Sequence, residues 1–341
     1  MHIKRTLAPA ALALSAALAL AGCGSQSPAP GGTQSPAAPG QTSSSPAAPA
    51  ASTVTVEDNN GPQTITVPPT SVVATDNRTF QTLDEWGIEL KAAARALMPD
   101  TVSYAANESI VDLGNHGEPD LEAVVAVQPD LIVNGQRFAQ FHDQFTQLVP
   151  EAVVLELDPR EGQPLDQELK RQTTALGEIF GKQAEAQKLN DDLDAAIARA
   201  KAAYDPAAKV MAVNTSGGNI GYLAPGVGRT LGPVFDLLGL TPALEVEGTD
   251  DHQGDDISVE AIADSNPDWI LVMDRDAGVA ADDPNFQPAA DLLANSQALA
   301  NVTAVKEGNI VIMPPDTYLN EGIQTYTTFL NQFADALEAK S

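Results

Sequence analysis

The chain has 341 residues, with 46 acidic against 18 basic side chains, a formal net charge of −28, one cysteine and 43% hydrophobic residues. So negative a chain is a poor match for a phosphate backbone, which excludes nucleic acid as a partner. A single cysteine excludes an intramolecular disulfide and a Cys/His zinc cluster. The apolar fraction supports a globular fold, the length points to about two domains, and an aromatic content of 5% argues against a stacking platform for bases or sugars.

Lys4 and Arg5 precede an uncharged, Ala- and Leu-rich run from Leu7 to Ala21, shorter than the roughly 20 apolar residues of a membrane span. It ends in Leu20-Ala21-Gly22-Cys23, which resembles the lipobox of bacterial lipoproteins. The bland alternative is a secretory signal with a chance cysteine, but the sole cysteine falls where the motif requires it. Residues 1–22 are therefore expected to be a lipoprotein signal peptide and Cys23 the lipidated residue. The remainder of 23–52 is Gly, Ser, Pro, Ala, Gln and Thr, without charge or aromatic residue. It reads as a disordered tether, which predicts an extracytoplasmic protein anchored to the cell membrane by lipid and not spanning it.

Thr53–Val67 alternates around Asn59-Asn60-Gly61-Pro62, a hairpin pattern. Short apolar runs then alternate with helical patterns, the signature of an α/β fold. Leu165–Phe180 is amphipathic and punctuated by Gly181, and Lys182–Tyr204 runs without Gly or Pro, spanning roughly 35 Å as a helix. A last helix is predicted from about Asn320 to Ala339. These elements divide the folded part into an N-terminal lobe at 53–164, an inter-lobe helical segment at 165–204 and a C-terminal lobe at 205–341.

An internal repeat relates the lobes. Leu121 to Val133 matches Val259 to Leu271 at a constant separation of 138 residues, with Glu122 against Glu260 and Pro129-Asp130 against Pro267-Asp268. Each copy reads as a helix stopped by proline, an Asp turn and a buried parallel strand. Arg137 and Arg275 follow the two strands, again 138 apart. Ligands of open α/β sheets bind beyond the carboxyl ends of the strands, so equivalent arginines there would face one cleft.

Lipobox, tether, hairpin, Glu118-Pro119-Asp120-Leu121-Glu122 with Gln128-Pro129-Asp130-Leu131, long helix and second Pro-Asp strand together resemble substrate-binding proteins of iron-siderophore ABC importers. Gly135-Gln136-Arg137, Ala224 to Arg229, the His252 loop, Asp274-Arg275-Asp276 and Tyr318-Leu319 are similar to the branch that binds ferric catecholates. The resemblance implies two Rossmann-like lobes joined by one long rigid α-helix, a monomer without catalysis or intrinsic cofactor. It implies a ferric siderophore as ligand and an ABC permease as partner. In that branch arginines matching Arg137, Arg229 and Arg275 converge on the ligand. Residues matching His252 and Tyr318 ligate iron when the siderophore leaves its coordination sites open, and acids matching Glu122 and Glu260 dock the lobes onto the permease.

The chemistry agrees with that set. Ferric iron prefers oxygen donors, its catecholate complexes are anionic, and guanidinium groups both stack on aromatic rings and donate charge-assisted hydrogen bonds. Each candidate also has an ordinary reading. The arginines have many acids to pair with, and Asp274 and Asp276 flank Arg275. His252 sits in an acidic loop, where a histidine is usually solvated, and Gln253 intervenes before the glycine that follows directly in the family. Tyr318 follows two prolines on which it would pack. Glu122 and Glu260 lie near helix starts, where the helix dipole alone favours an acid. Arg78, after the strand Val72–Thr75, is a further cleft candidate that the family pattern does not require.

Other patterns carry nothing. Gly226-x-Gly228 has Leu231 where a dinucleotide fingerprint needs glycine, so a turn before a helix at Arg229 suffices. Thr215 to Gly218 is no nucleophile elbow, and His116, His142 and His252 share no metal-site spacing. Competing ligands for the same fold are haem, cobalamin or a hydroxamate siderophore, but a triple-arginine cleft suits anions better. The further alternatives are an extracytoplasmic enzyme, for which no nucleophile or metal triad is visible, and an adhesin-like lipoprotein.

Overall fold

Residues 52–340 are described by the computed structural model, so the signal segment, Cys23 and the tether before Ser52 lie outside the described residues. Alternating Val and Thr residues form the antiparallel hairpin of β1 (Ser52–Asp58) and β2 (Gly61–Val67), turned at Asn59-Asn60. Asp58 is buried behind it, and its carboxylate accepts the Glu156 amide at 3.0 Å, tying the hairpin to the first sheet.

That sheet contains β3 (Val72–Ala74), β4 (Leu90–Ala93), β5 (Val111–Asp112), β6 (Leu131–Asn134) and β7 (Val153–Glu156). All pairs are parallel, in the order β5-β4-β3-β6-β7. The second sheet contains β8 (Lys209–Ser216), β9 (Asn219–Tyr222), β10 (Thr241–Pro242), β11 (Asp255–Asp256), β12 (Trp269–Asp274) and β13 (Ile310–Ile312). Its order is β11-β9-β8-β12-β13, with β10 beside β8. β9 and β11 run antiparallel to their neighbours, so this sheet is mixed, while the strand of the repeat, β12, is parallel to both its neighbours.

The repeat extends to backbone detail. Val72 pairs with Leu131 in the first sheet and Val210 with Trp269 in the second, both partners displaced by 138. Ahead of each strand pair, an aspartate caps the start of the neighbouring strand: Asp130 accepts from the Ser71 amide at 3.0 Å and Asp268 from the Lys209 amide at 2.7 Å. Helices α1 (Phe80–Glu85) and α2 (Leu121–Ala126) belong to the first lobe. Asp120 caps α2, as Ser258 caps its counterpart, and the residues before each proline, Gln128 and Asn266, both take the left-handed conformation (φ 46° and 43°). These positive-φ residues end both helices and aim the chain into the strand.

After α3 (His142–Leu148), the inter-lobe segment is two helices, α4 (Leu165–Phe180) and α5 (Gln183–Ala203), which reverse at left-handed Gly181. A Cβ on Gly177 would lie 2.6 Å from the Ala186 Cβ, so the missing side chain lets the two helices touch. Both helices serve both cores. Leu169 and Leu193 pack in the C-terminal lobe, whereas Leu176, Ile179 and Ala186 pack in the N-terminal one. The C-terminal lobe adds α6 (Gly232–Leu238), α7 (Val259–Ser265), α8 (Arg275–Val279), α9 (Ala289–Asn295), α10 (Thr303–Glu307) and α11 (Ile323–Glu338). α11 lies along α5, where Arg199 pairs with Asp335 and Glu338.

Candidate ligand-binding site

Strand ends carry the predicted arginines. β6 runs into Gly135, then a 3₁₀ turn from Gln136 that presents Arg137. Glycine fits closely at 135, where a Cβ would lie 3.0 Å from both Asp158 Oδ1 and Asp76 Cγ. β12 runs directly into α8, so Arg275 is its first residue and Asp274 caps it by accepting the Ala277 amide at 3.1 Å. β13 leads through Pro314 and Pro315 into a 3₁₀ turn (Thr317–Leu319) that carries Tyr318. Gly278 on α8 backs that turn, where an added Cβ would lie 3.3 Å from the Tyr318 Cβ.

Arg229 arrives differently. The sequence placed a helix start there, but α6 begins three residues later, at Gly232. The intervening loop is drawn tight by Gly228 N–H donating to Ala224 O and Gly232 N–H to Gly228 O, both at 2.8 Å. Thr230 beside Arg229 has φ 66°, a left-handed conformation that prevents helix continuation through this point.

The arginines from both lobes meet on one ring. Their Cζ atoms lie 5.0 Å (Arg137), 4.4 Å (Arg229) and 4.9 Å (Arg275) from the Tyr318 ring centroid, within cation–π range. Arg137 also donates to the Tyr318 carbonyl at 3.3 Å, bridging from the N-terminal to the C-terminal lobe. Tyr318 is only 7% exposed. Burial alone would raise its phenol pKa, but the Arg275, Arg229 and Arg137 guanidinium groups outweigh burial and lower it below the ordinary value. Burial and the neighbouring Arg229 charge likewise lower the Arg137 pKa. Arg137 Nη1 and Arg275 Nε are buried and find no acceptor in good hydrogen-bond geometry, although both guanidinium groups lean on the Tyr318 phenol. Arg275 does pair with Asp276 at 3.2 Å, as its flanking acids suggested, yet still reaches the ring.

Beside this cluster lies a buried carboxylate with no sequence motif to mark it. Glu321, 3% exposed, accepts from Arg229 Nε at 2.9 Å and lies 3.5 Å from Arg78. Burial pushes its pKa up, but Arg229 and Arg78 outweigh that and hold it at about 2. Arg78 is thus placed next to the cleft but engaged by acids, Asp158 at 2.9 Å being the other. Beneath Gly135, burial and the Asp158 charge raise the Asp76 pKa well above the carboxylate range.

His252 stands apart. Its Nδ1 lies 3.8 Å from Asp251, its side chain is half exposed, and its carbonyl accepts from Asn214, so the loop joins the sheet through backbone while the imidazole faces outward. Glu122 and Glu260 are exposed in the first turns of α2 and α7, and neither has an ion pair among the described residues. Also among the described residues, no group of three or more His, Cys, Asp or Glu could hold a metal ion, and no helix is long and apolar enough to cross a membrane. Cavities of about 620 and 840 Å³ lie elsewhere, and the ring of Tyr318 occupies the space among the arginines.

Two lobes that set permanently charged groups around a shared cleft have the geometry of a binding protein. Residues 72–317 match the family described as Periplasmic binding protein, and the chain belongs to that family. It is similar to the petrobactin-binding protein YclQ of Bacillus subtilis, 25% identical over 286 residues that cover 82% of this chain and 86% of YclQ. It is also similar to the ferric-anguibactin-binding protein FatB of Vibrio anguillarum, 29% identical over 269 residues that cover 78% and 81%. The crystal structure of the periplasmic catecholate-siderophore binding protein VctP of Vibrio cholerae shares the fold, with a TM-score of 0.71 at 23% identity over 84% of this chain and all of VctP.

Proposed function

We propose that this chain captures an anionic ferric siderophore of the catecholate class between Arg137, Arg229 and Arg275 and delivers it to an ABC permease for iron uptake. The observation that carries the reading is the convergence of three guanidinium groups on one buried phenol. A phenol ring with an oxygen is the recognition element of a catecholate, and this cluster offers it stacking and permanent positive charge. Each charge-assisted contact contributes about 1.5–3 kcal/mol. The substrates named for YclQ and FatB support an iron complex as the ligand class.

Tyr318, with its lowered phenol pKa, is the first candidate for an iron ligand if the siderophore leaves positions open, since ferric iron favours a hard anionic oxygen. His252 is the second, its imidazole half exposed on an acidic loop beside Asp251. Arg78 acts through Glu321 and Asp158. Glu122 and Glu260, exposed at equivalent places in the repeat, are the proposed permease contacts. Lipidation of Cys23, removal of residues 1–22, anchoring to the membrane and a monomeric state complete the proposal.

The test is titration of the chain lacking its first 51 residues with a ferric bis-catecholate, a tris-catecholate and a ferric hydroxamate, followed by emission of Trp86 and Trp269. Quenching by catecholates that is lost in Arg137→Gln supports the reading. Quenching by the hydroxamate alone overturns the role of the arginines, and no response to any complex brings haem and cobalamin forward.

A further inference from the structure

We infer that Glu321 is a specificity-determining residue, a fixed internal charge that sets how negative a ligand the arginine cleft accepts. The inference rests on the ferric-complex reading above and adds a residue that the sequence did not single out.

Glu321 is shared between the lobes. Its carboxylate takes Arg229 from the C-terminal lobe at 2.9 Å and Arg78 from the N-terminal lobe at 3.5 Å, and it accepts the Thr230 hydroxyl. Arg229 is the guanidinium nearest the Tyr318 ring, so the negative charge lies one guanidinium away from where a catecholate would stack. The three cleft arginines are consequently unequal. Arg229 is offset by Glu321 and Arg275 by Asp276, whereas Arg137 has no carboxylate within ion-pair distance among the described residues and feels Glu321 only at longer range.

The carboxylate cannot turn away. A Cβ on the next residue, Gly322, would lie 2.7 Å from the Arg78 carbonyl oxygen, so the chain is pressed against the other lobe there. Asn77 holds the Leu319 carbonyl at 3.0 Å, and Asn320 donates to Gln81 at 2.8 Å. Side chain and backbone are therefore both pinned, and the charge persists when a ligand enters.

A fixed charge acts in proportion to the ligand's own. A ferric bis-catecholate carries one net negative charge, a tris-catecholate three, and a ferric trihydroxamate none. Glu321 therefore penalises the trianion most and the neutral complex least. Two extra unit charges on the ligand, partly screened by salt, change the affinity ratio by about tenfold.

The experiment measures all three affinities at low salt for wild type, Glu321→Gln and Glu321→Asp. Glu321→Gln should raise the tris- to bis-catecholate affinity ratio about tenfold without changing that for the hydroxamate, and Glu321→Asp, which keeps the charge, should restore the wild-type ratio. A proportional loss for every complex with the ratio unchanged would overturn the inference and leave Glu321 a purely structural residue. If Glu321→Gln does not fold, Arg78→Met gives the opposite test: it leaves the carboxylate less compensated and should lower the ratio, and an unchanged ratio there also overturns the inference. Wild-type protein that binds none of the complexes would instead sink the proposed function, and this inference with it.

Discussion

Gly228 is the position where the smallest change should do the most to the site. In Gly228→Ala the new Cβ would sit 2.6 Å from Ala224 N and from Leu223 C, and 2.7 Å from Leu223 Cα. Those are backbone atoms, held by the 2.8 Å bond from Gly228 N–H to Ala224 O, so no side chain can swing aside. Relief to an ordinary contact of about 3.4 Å requires a backbone shift of about 0.8 Å, applied one residue before Arg229. Overpacking of this kind costs about 2–3 kcal/mol, which in a chain of this size lowers Tm by about 3–5 °C. Arg229 also leaves its position over Tyr318, so ferric catecholate affinity should fall about tenfold, since one charge-assisted contact is lost. Scanning calorimetry gives the first number and fluorescence titration the second. An alanine variant that melts within 1 °C of wild type and binds equally well would refute the tight-turn reasoning.

Acid should weaken the fold with a defined sign. Glu321 and Glu168 sit at about 2 in the folded chain against an ordinary 4.5, so the stability they contribute is complete above 4.5 and lost as pH falls from there towards 2. For Glu321 this amounts to at most about 3 kcal/mol, and urea titrations at several pH values should show a shallower slope across that window in Glu321→Gln. Leu169 and Leu176, each 1% exposed on α4 but in different cores, should each cost about 2–5 kcal/mol on truncation to alanine. Both variants are expected to melt in a single transition, and two resolved transitions would contradict shared support of the lobes by α4. Glu122→Lys and Glu260→Lys should abolish iron uptake by cells while leaving ligand affinity within twofold, because neither residue touches the cleft; uptake at the wild-type rate would exclude them as permease contacts.

Features governed by local pattern are legible in the sequence. Pro129-Asp130 and Pro267-Asp268 mark a helix stop and a buried strand through proline sterics and apolar runs, so the repeat and the arginines beyond it could be placed from spacing alone. The hairpin followed from alternation, and the break at Gly181 from its missing side chain. Glu321 was invisible because its partner Arg78 is remote in the sequence, and Asn320-Glu321-Gly322 has no motif of its own. Locally the same residues read as the beginning of a helix, whereas α11 starts only at Ile323, after the chain has docked on the other lobe. The helix expected at Arg229 failed for a similar reason: the Gly226–Gly232 loop closes on itself through Ala224, a contact that no periodicity predicts.

The placement of both cores along α4 has a mechanical consequence. Leu169 and Leu176 are two turns apart, so the distance between the lobes is measured out by a stretch of continuous hydrogen-bonded helix that resists bending at mid-length. The bite between Arg137 and the two arginines opposite is accordingly narrow in its range. Complexes of different diameter must be accommodated by side-chain adjustment, so selection by size falls to side chains while the frame stays at one gauge.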